Sequence, residues 1–227
     1  MIKHYLSVFI LIACIILAIG ILNAVDNPTL SSRLPTESSA VSTTPPQTTE
    51  RLSSSPPKPI HVSDSQALAH YEQGLKLYYQ RQFPEALRLL NQALVIDPQC
   101  YEALNAKGAT LAFQGNYDQG LALIQQALNL NPSFVYGNFN LGLVNELAGR
   151  WDAAVSAYQK ALQLDNRDTW SYYGIASIYG RLGKIDKVLE YLQPAIALDP
   201  DVKEVARGEH DFAPVREDPR FQALVKP

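Results

Sequence analysis

Ala93-Leu94-Val95-Ile96-Asp97-Pro98, Ala127-Leu128-Asn129-Leu130-Asn131-Pro132, Ala161-Leu162-Gln163-Leu164-Asp165-Asn166 and Ala195-Ile196-Ala197-Leu198-Asp199-Pro200 are four versions of one stretch, each starting 34 residues after the one before. Ala at the first place and an aliphatic residue three places on share a helical face. Asp or Asn followed by Pro then ends the helix, because the residue before a proline avoids the helical region and Pro has no N–H to continue the ladder. Further registers keep the same period: Gly74, Gly108, Gly142 and Ala176, and Phe83, Tyr117, Trp151 and Ile185. So do Ala86, Gly120, Ala154 and Val188, small enough for two helix axes to approach closely. Gly115, Gly149 and Gly183 fall between the two small-residue registers, where a first helix must stop in a left-handed conformation. The spacing within each unit agrees with two helices packed closely as a hairpin. One hairpin buries only half its apolar surface, so neighbours must stack.

This pattern resembles the tetratricopeptide repeat family over residues 67–202, in four repeats at 67–100, 101–134, 135–168 and 169–202. The resemblance implies an all-α fold, a right-handed solenoid of four helix-turn-helix repeats. Three departures qualify it. The family's Trp at position four is replaced by His70, Leu104, Asn138 and Tyr172; Asn166 stands where the other repeats have Pro; and Pro194 interrupts the last second helix, where a kink is expected. Beyond the repeats, residues 203–227 form a C-terminal cap. In it Asp218-Pro219 opens a last helix whose Phe221, Leu224 and Val225 cover the fourth repeat. Ser63 and Gln66 have capping-box spacing ahead of the first helix, within a repeat domain spanning 63–202.

Residues 1–25 read as an N-terminal anchor. No charge occurs from Tyr5 to Val25, and at about 1.5 Å per residue that run spans about 31 Å, the thickness of a bilayer's hydrocarbon core. Lys3 precedes it and Asp26 follows, so the positive-inside bias places the N-terminus in the cytoplasm and the repeats outside it, in the periplasm of a single-pass cell-membrane protein. Two cleaved forms compete with a retained transmembrane helix. One is a signal peptide, for which the apolar run is long. The other is a lipoprotein lipidated at Cys14, since Leu11-Ile12-Ala13-Cys14 resembles a lipobox, although Ile15-Ile16-Leu17 would then follow the lipidated residue. More than half of residues 26–62 are Ser, Thr or Pro, which makes them a disordered linker between membrane and repeats.

The 19 basic residues against 22 acidic ones give a net charge of −3, no footprint for a nucleic-acid backbone. Cys14 and Cys100 cannot build a disulfide framework or a multi-cysteine metal site. His4, His61, His70 and His210 are scattered without ligand spacing, and no phosphate loop, nucleophile elbow or dinucleotide fingerprint is present. No enzyme activity, cofactor or metal is expected. Cys100 reads as a packing thiol.

By resemblance to the family, positions two, five, nine, twelve and thirteen of each first helix point into a concave groove. These give Tyr71, Tyr78 and Tyr79 in repeat one, Asn105 and Phe113 in repeat two, Tyr136 and Phe139 in repeat three, and Trp170 and Tyr173 in repeat four. Asn140, at position six, adds an amide that can bond a peptide backbone in both directions. Such a groove is aromatic and nearly uncharged, which suits a protein or peptide partner. The positions with which chaperone-binding members grip a C-terminal carboxylate hold Tyr71, Leu75, Ala106, Tyr136 and Asn140, so that clamp is missing apart from one Asn. Two readings of function follow: a membrane-tethered scaffold or adaptor that captures a partner polypeptide, for instance during assembly of an envelope complex, and a structural protein that self-associates as a homo-oligomer through its repeat faces. A third feature bears on both: the aromatics can instead pack between adjacent first helices and meet no ligand.

Overall fold

The computed structural model describes residues 60–226. The segment read as an anchor, residues 5–25, and residues 26–59 of the linker lie outside the described residues. Among the described residues there is no strand, and no helix is long and apolar enough to cross a membrane.

Eight helices form four antiparallel pairs: α1 (Ser65–Tyr79) with α2 (Phe83–Ile96), α3 (Tyr101–Phe113) with α4 (Tyr117–Leu130), α5 (Val135–Leu147) with α6 (Trp151–Leu164), and α7 (Thr169–Arg181) with α8 (Ile185–Leu198). The short α9 (Val202–Gly208), a 3-10 turn at His210–Val215 and α10 (Pro219–Leu224) close the chain.

The turn between the helices of a pair is built as the glycine register requires. Gly115, Gly149 and Gly183 have φ of 85°, 72° and 66°. The first repeat puts Arg81 at the same place, with φ of 60°. There the Arg81 amide donates to the Tyr78 carbonyl and the Gln82 amide reaches back to Leu77, both at 2.9 Å, satisfying carbonyls that the helix end leaves open. The guanidinium of Arg81 lies 5.7 Å from the Phe83 ring centre, partly offsetting the cost of a side chain in this conformation.

The Asp/Asn register also has a structural reason. Asp97, Asn131, Asp165 and Asp199 leave the helix in extended conformation. Each side-chain Oδ1 accepts the amide two residues on, Gln99, Ser133, Arg167 and Asp201, at 2.9–3.2 Å. This side-chain turn needs no proline, so Asn166 replaces Pro without loss of the corner. Asp97 does more. His61 Nε2 lies 2.8 Å from its Oδ2, and the Asp64 amide donates to the same oxygen at 3.0 Å, pinning the chain's approach to the first repeat. Burial alone would raise the Asp97 carboxyl, but these bonds outweigh it and hold it below its ordinary range.

Three expectations need correction or refinement. The first helix is capped by Asp64, whose Oδ1 accepts the Gln66 and Ala67 amides at 2.7 and 3.2 Å; Ser63 instead donates its hydroxyl to Glu102 at 2.6 Å. A carboxylate one residue closer to the helix wins the amides, as charge-assisted acceptors do. Pro194 lies inside α8, which continues through it to Leu198. Of the four positions where the family has Trp, Leu104 and Asn138 are buried, and the Asn138 amide is satisfied by the Phe134 carbonyl at 3.1 Å.

Glycine permits close helix contact only where it is needed. A Cβ on Gly108 would lie 2.6 Å from the Gly120 carbonyl oxygen, and one on Gly120 would meet the Gly108 carbonyl at the same distance. In the third repeat the role passes to a ring: Tyr158 is packed so closely against Gly142 and Gly174 that a Cβ on either would come within 2.7 Å of it. Its hydroxyl is anchored on Glu146 at 2.7 Å. The tail caps the stack. Phe212, Val215, Phe221 and Val225 join the core formed by Tyr158, Tyr173, Ile178 and Leu192, and Phe212 stacks on Phe221 with ring centres 5.3 Å apart.

Candidate functional site

Successive first helices, α1 with α3, α3 with α5 and α5 with α7, pack on one another, while each second helix packs mainly against first helices. A stack that is tighter on one side bends toward that side, so the first helices line its inside. Tyr79 and Tyr136 show how sharp the bend is: their hydroxyls lie 3.0 Å apart although they belong to repeats one and three. Composition follows from this placement. α3 and α7 are small or apolar nearly all round because both their faces are covered, while α4 and α6 bury a single stripe.

The bend carries four of the ten expected groove residues, Tyr78, Asn105, Asn140 and Tyr173, into the interior. Tyr78 is 1% exposed and lies edge-on to Phe113 at 5.8 Å, in the core with Ala86 and Ala109. Tyr173 is buried against Phe212 of the tail, ring centres 5.9 Å apart. Asn105 and Asn140 are buried, and their amides have no hydrogen-bond partner among the described residues; Asn140 is therefore not presented to a peptide backbone. Phe113 is half-buried and stacks on Phe83 at 6.1 Å. Tyr71 and Tyr79 are half-buried, and burial is the main cause that raises both phenols above their ordinary range. The phenol of Tyr136 is raised too, first by burial and then by the neighbouring tyrosines.

Three of the expected residues do meet around open space. Tyr136, Phe139 and Trp170, with Val135, Asp165 and Asp168, line a pocket of about 150 Å³ where α5 and α7 begin. Tyr136 and Phe139 are nearly parallel, 8° apart with centres at 6.0 Å, and Trp170 is held edge-on by Tyr173 at 5.8 Å. That volume holds a group of benzene size. Asp168 accepts the Ser171 hydroxyl at 2.6 Å, and burial raises its carboxyl despite that bond. Val135, Asp165 and Asp168 were not among the residues expected from the sequence. Asp168 carried a visible signal, because its register is otherwise Cys100, Phe134 and Val202.

A buried polar cluster lies further along the same face. Arg181 donates to Glu146 at 3.1 Å and to Asp211 at 2.6 Å, Ser177 donates to Asp211 at 2.6 Å, and the Arg181 guanidinium sits 5.2 Å from the Trp151 ring centre. Burial raises the Glu146 carboxyl to about 7 against the opposing pull of Arg181 and the Tyr158 hydroxyl. Every group here faces another group of the chain, and Asp211 belongs to the tail, so the cluster fastens the cap to repeats three and four. Cys100 is fully buried and its thiol is pushed up to about 11 by that burial, which keeps it protonated and inert.

Models of the tetratricopeptide repeat match residues 67–100, 106–169 and 147–208. The chain belongs to the tetratricopeptide repeat family. Among solved structures it is similar to TTC0263, a thermophilic tetratricopeptide repeat protein of Thermus thermophilus, at 21% identity and TM-score 0.58 over 70% of this chain and 86% of that one. It is also similar to MamA, at 22% identity and TM-score 0.53 over 67% of this chain and 87% of that one. Both likenesses concern the fold. No curated protein sequence gives a significant match.

Proposed function

We propose that this protein is a non-enzymatic scaffold that captures an extended segment of a partner polypeptide along its first-helix face, with the Tyr136, Phe139 and Trp170 pocket as the anchoring point. The observation that supports this is the pocket itself: three rigid aromatic walls, already packed in place by their neighbours, around a space of about 150 Å³. Aromatic anchors that need no reordering on binding lose little conformational entropy, and such residues dominate polypeptide interfaces. The long apolar run at 5–25 and the Ser/Thr/Pro-rich residues 26–62 complete the reading: a tether that holds the repeats off the outer side of a membrane, where an envelope assembly is the natural setting.

A photo-crosslinking amino acid at Val135, beside the pocket, and another at Gln125, exposed on α4, test the reading in the native membrane. Covalent capture of a second polypeptide from position 135 and not from 125 is expected. Capture of a second copy of this chain from position 135 would replace the adaptor with a self-associating protein, and no adduct from position 135 would overturn both. Protease applied to spheroplasts, whose periplasmic side is open, tests the tether: the linker at 26–62 should be cut and the repeats released, and full protection would reverse the orientation.

A further inference from the structure

The pocket is chemically asymmetric in a way that polypeptide binding alone does not require. Its walls are aromatic, but two carboxylates, Asp165 and Asp168, stand among its lining residues and no basic residue does. Neither carboxylate has an ion-pair partner among the described residues; Arg167, between them in sequence, makes no such pair with either. Asp168 also occupies a register that packing would fill with an apolar residue: Cys100, two repeats before it, and Val202, one repeat after it, are completely buried. Asp168 is the N-cap of α7, and the Ser171 hydroxyl and the helix end account for its own burial. What points to a ligand is the combination of aromatic walls with two carboxylates that no cation of the chain answers.

We propose that the pocket takes an arginine side chain of the bound polypeptide, with its guanidinium against the faces of Tyr136, Phe139 and Trp170 and its N–H groups donating to Asp165 and Asp168. This rests on the reading that the face binds a polypeptide, and it names the partner's chemistry. Aromatic faces attract cations, and a flat guanidinium stacks on rings while reaching a carboxylate with two donors at once. Lysine brings one compact and strongly hydrated charge and fits these walls less well. An acidic side chain would face two like charges in a half-desolvated site, so the pocket also excludes acidic segments.

The test is selection from a random linear dodecapeptide library displayed on phage, with the full chain immobilised in mild detergent, followed by synthesis of recovered peptides. Recovered sequences should share one arginine, and replacing it by citrulline, its uncharged isostere, should weaken binding about tenfold or more. Asp168→Asn keeps an acceptor for Ser171 and should remove the difference between the arginine and citrulline peptides. Peptides that bind but show no basic enrichment, or that distinguish arginine from citrulline equally well on Asp168→Asn, overturn the arginine assignment and leave polypeptide binding standing. Recovery of no peptide at all overturns both.

Discussion

The first two repeats and the last two obey the same 34-residue register but are held together differently. Repeats one and two rest on separate small clusters: two rich in alanine, around Ala67, Ala93 and Ala103 and around Tyr78, Ala86 and Ala109, and a third around Ile124 and Leu128 that reaches Val144 of repeat three. Repeats three and four share one continuous core with the tail, running from Phe139 through Tyr158 and Leu192 to Phe221 and Val225, and fastened by Arg181 between Glu146 and Asp211. A repeat register thus fixes geometry without fixing stability. Stability depends on what fills the space between hairpins, and in a linear stack each interface counts separately. The pocket lies at the start of the better-packed half, where its walls are firm.

The sharpest way to break this contrast is Tyr158→Ala. It removes the ring held against Gly142 and Gly174 together with the hydroxyl on Glu146, and is expected to cost about 4 kcal/mol. Hydrogen exchange should show α5 to α8 and the tail losing protection first. Equal loss over all four repeats would mean that the halves are not distinct.

Next in size is a pH effect confined to the C-terminal half. Glu146 titrates near 4.5 when unfolded and near 7 when folded, so the folded chain holds the proton more tightly. Its contribution is fully present below 4.5, declines as pH rises, and is lost above 7, a change on the order of 3 kcal/mol. Urea unfolding between about pH 4.5 and 8 should show stability falling across that window. Glu146→Gln should flatten the fall, and an unchanged slope would assign it to other groups.

Gly108→Ala probes the first half. With the Gly120 carbonyl 2.6 Å from the new methyl, α3 and α4 must separate, at a cost of about 2 kcal/mol. The loss of exchange protection should stay within repeats one and two. The smallest change works in the opposite direction. Arg81→Gly relieves a left-handed side chain and gives up its contact with Phe83, for a net gain of about 0.5 kcal/mol read as a raised Tm. A lowered Tm would show that the ring contact matters more than the backbone.

The repeat architecture was legible because it depends on residues with few alternatives. Glycine marks a left-handed turn, Asp or Asn at a corner closes the turn after a helix by accepting the amide two residues on, and small residues permit close helices. The site was legible only in part. Tyr136, Phe139 and Trp170 stand around the pocket, but Tyr78, Asn105, Asn140 and Tyr173 went into the interior, because position within a repeat does not reveal how tightly the stack bends. The Tyr79 to Tyr136 contact is that bend, and no local pattern encodes it. Glu146 and Asp168 could have been found, since each is a carboxylate in a register that is otherwise apolar or small: Tyr78, Ala112 and Gly180 for the first, Cys100, Phe134 and Val202 for the second. Arg181 and Asp211 could not, because their pairing joins the fourth repeat to a tail outside the period.

The most direct measurement is hydrogen exchange of the full chain with and without a peptide recovered from the display library. Binding along the first-helix face should slow exchange at the starts of α5 and α7, around residues 135–140 and 168–173, and leave the solvent faces of α2, α4 and α6 unchanged. Protection concentrated on those second helices would contradict the assignment of the binding face.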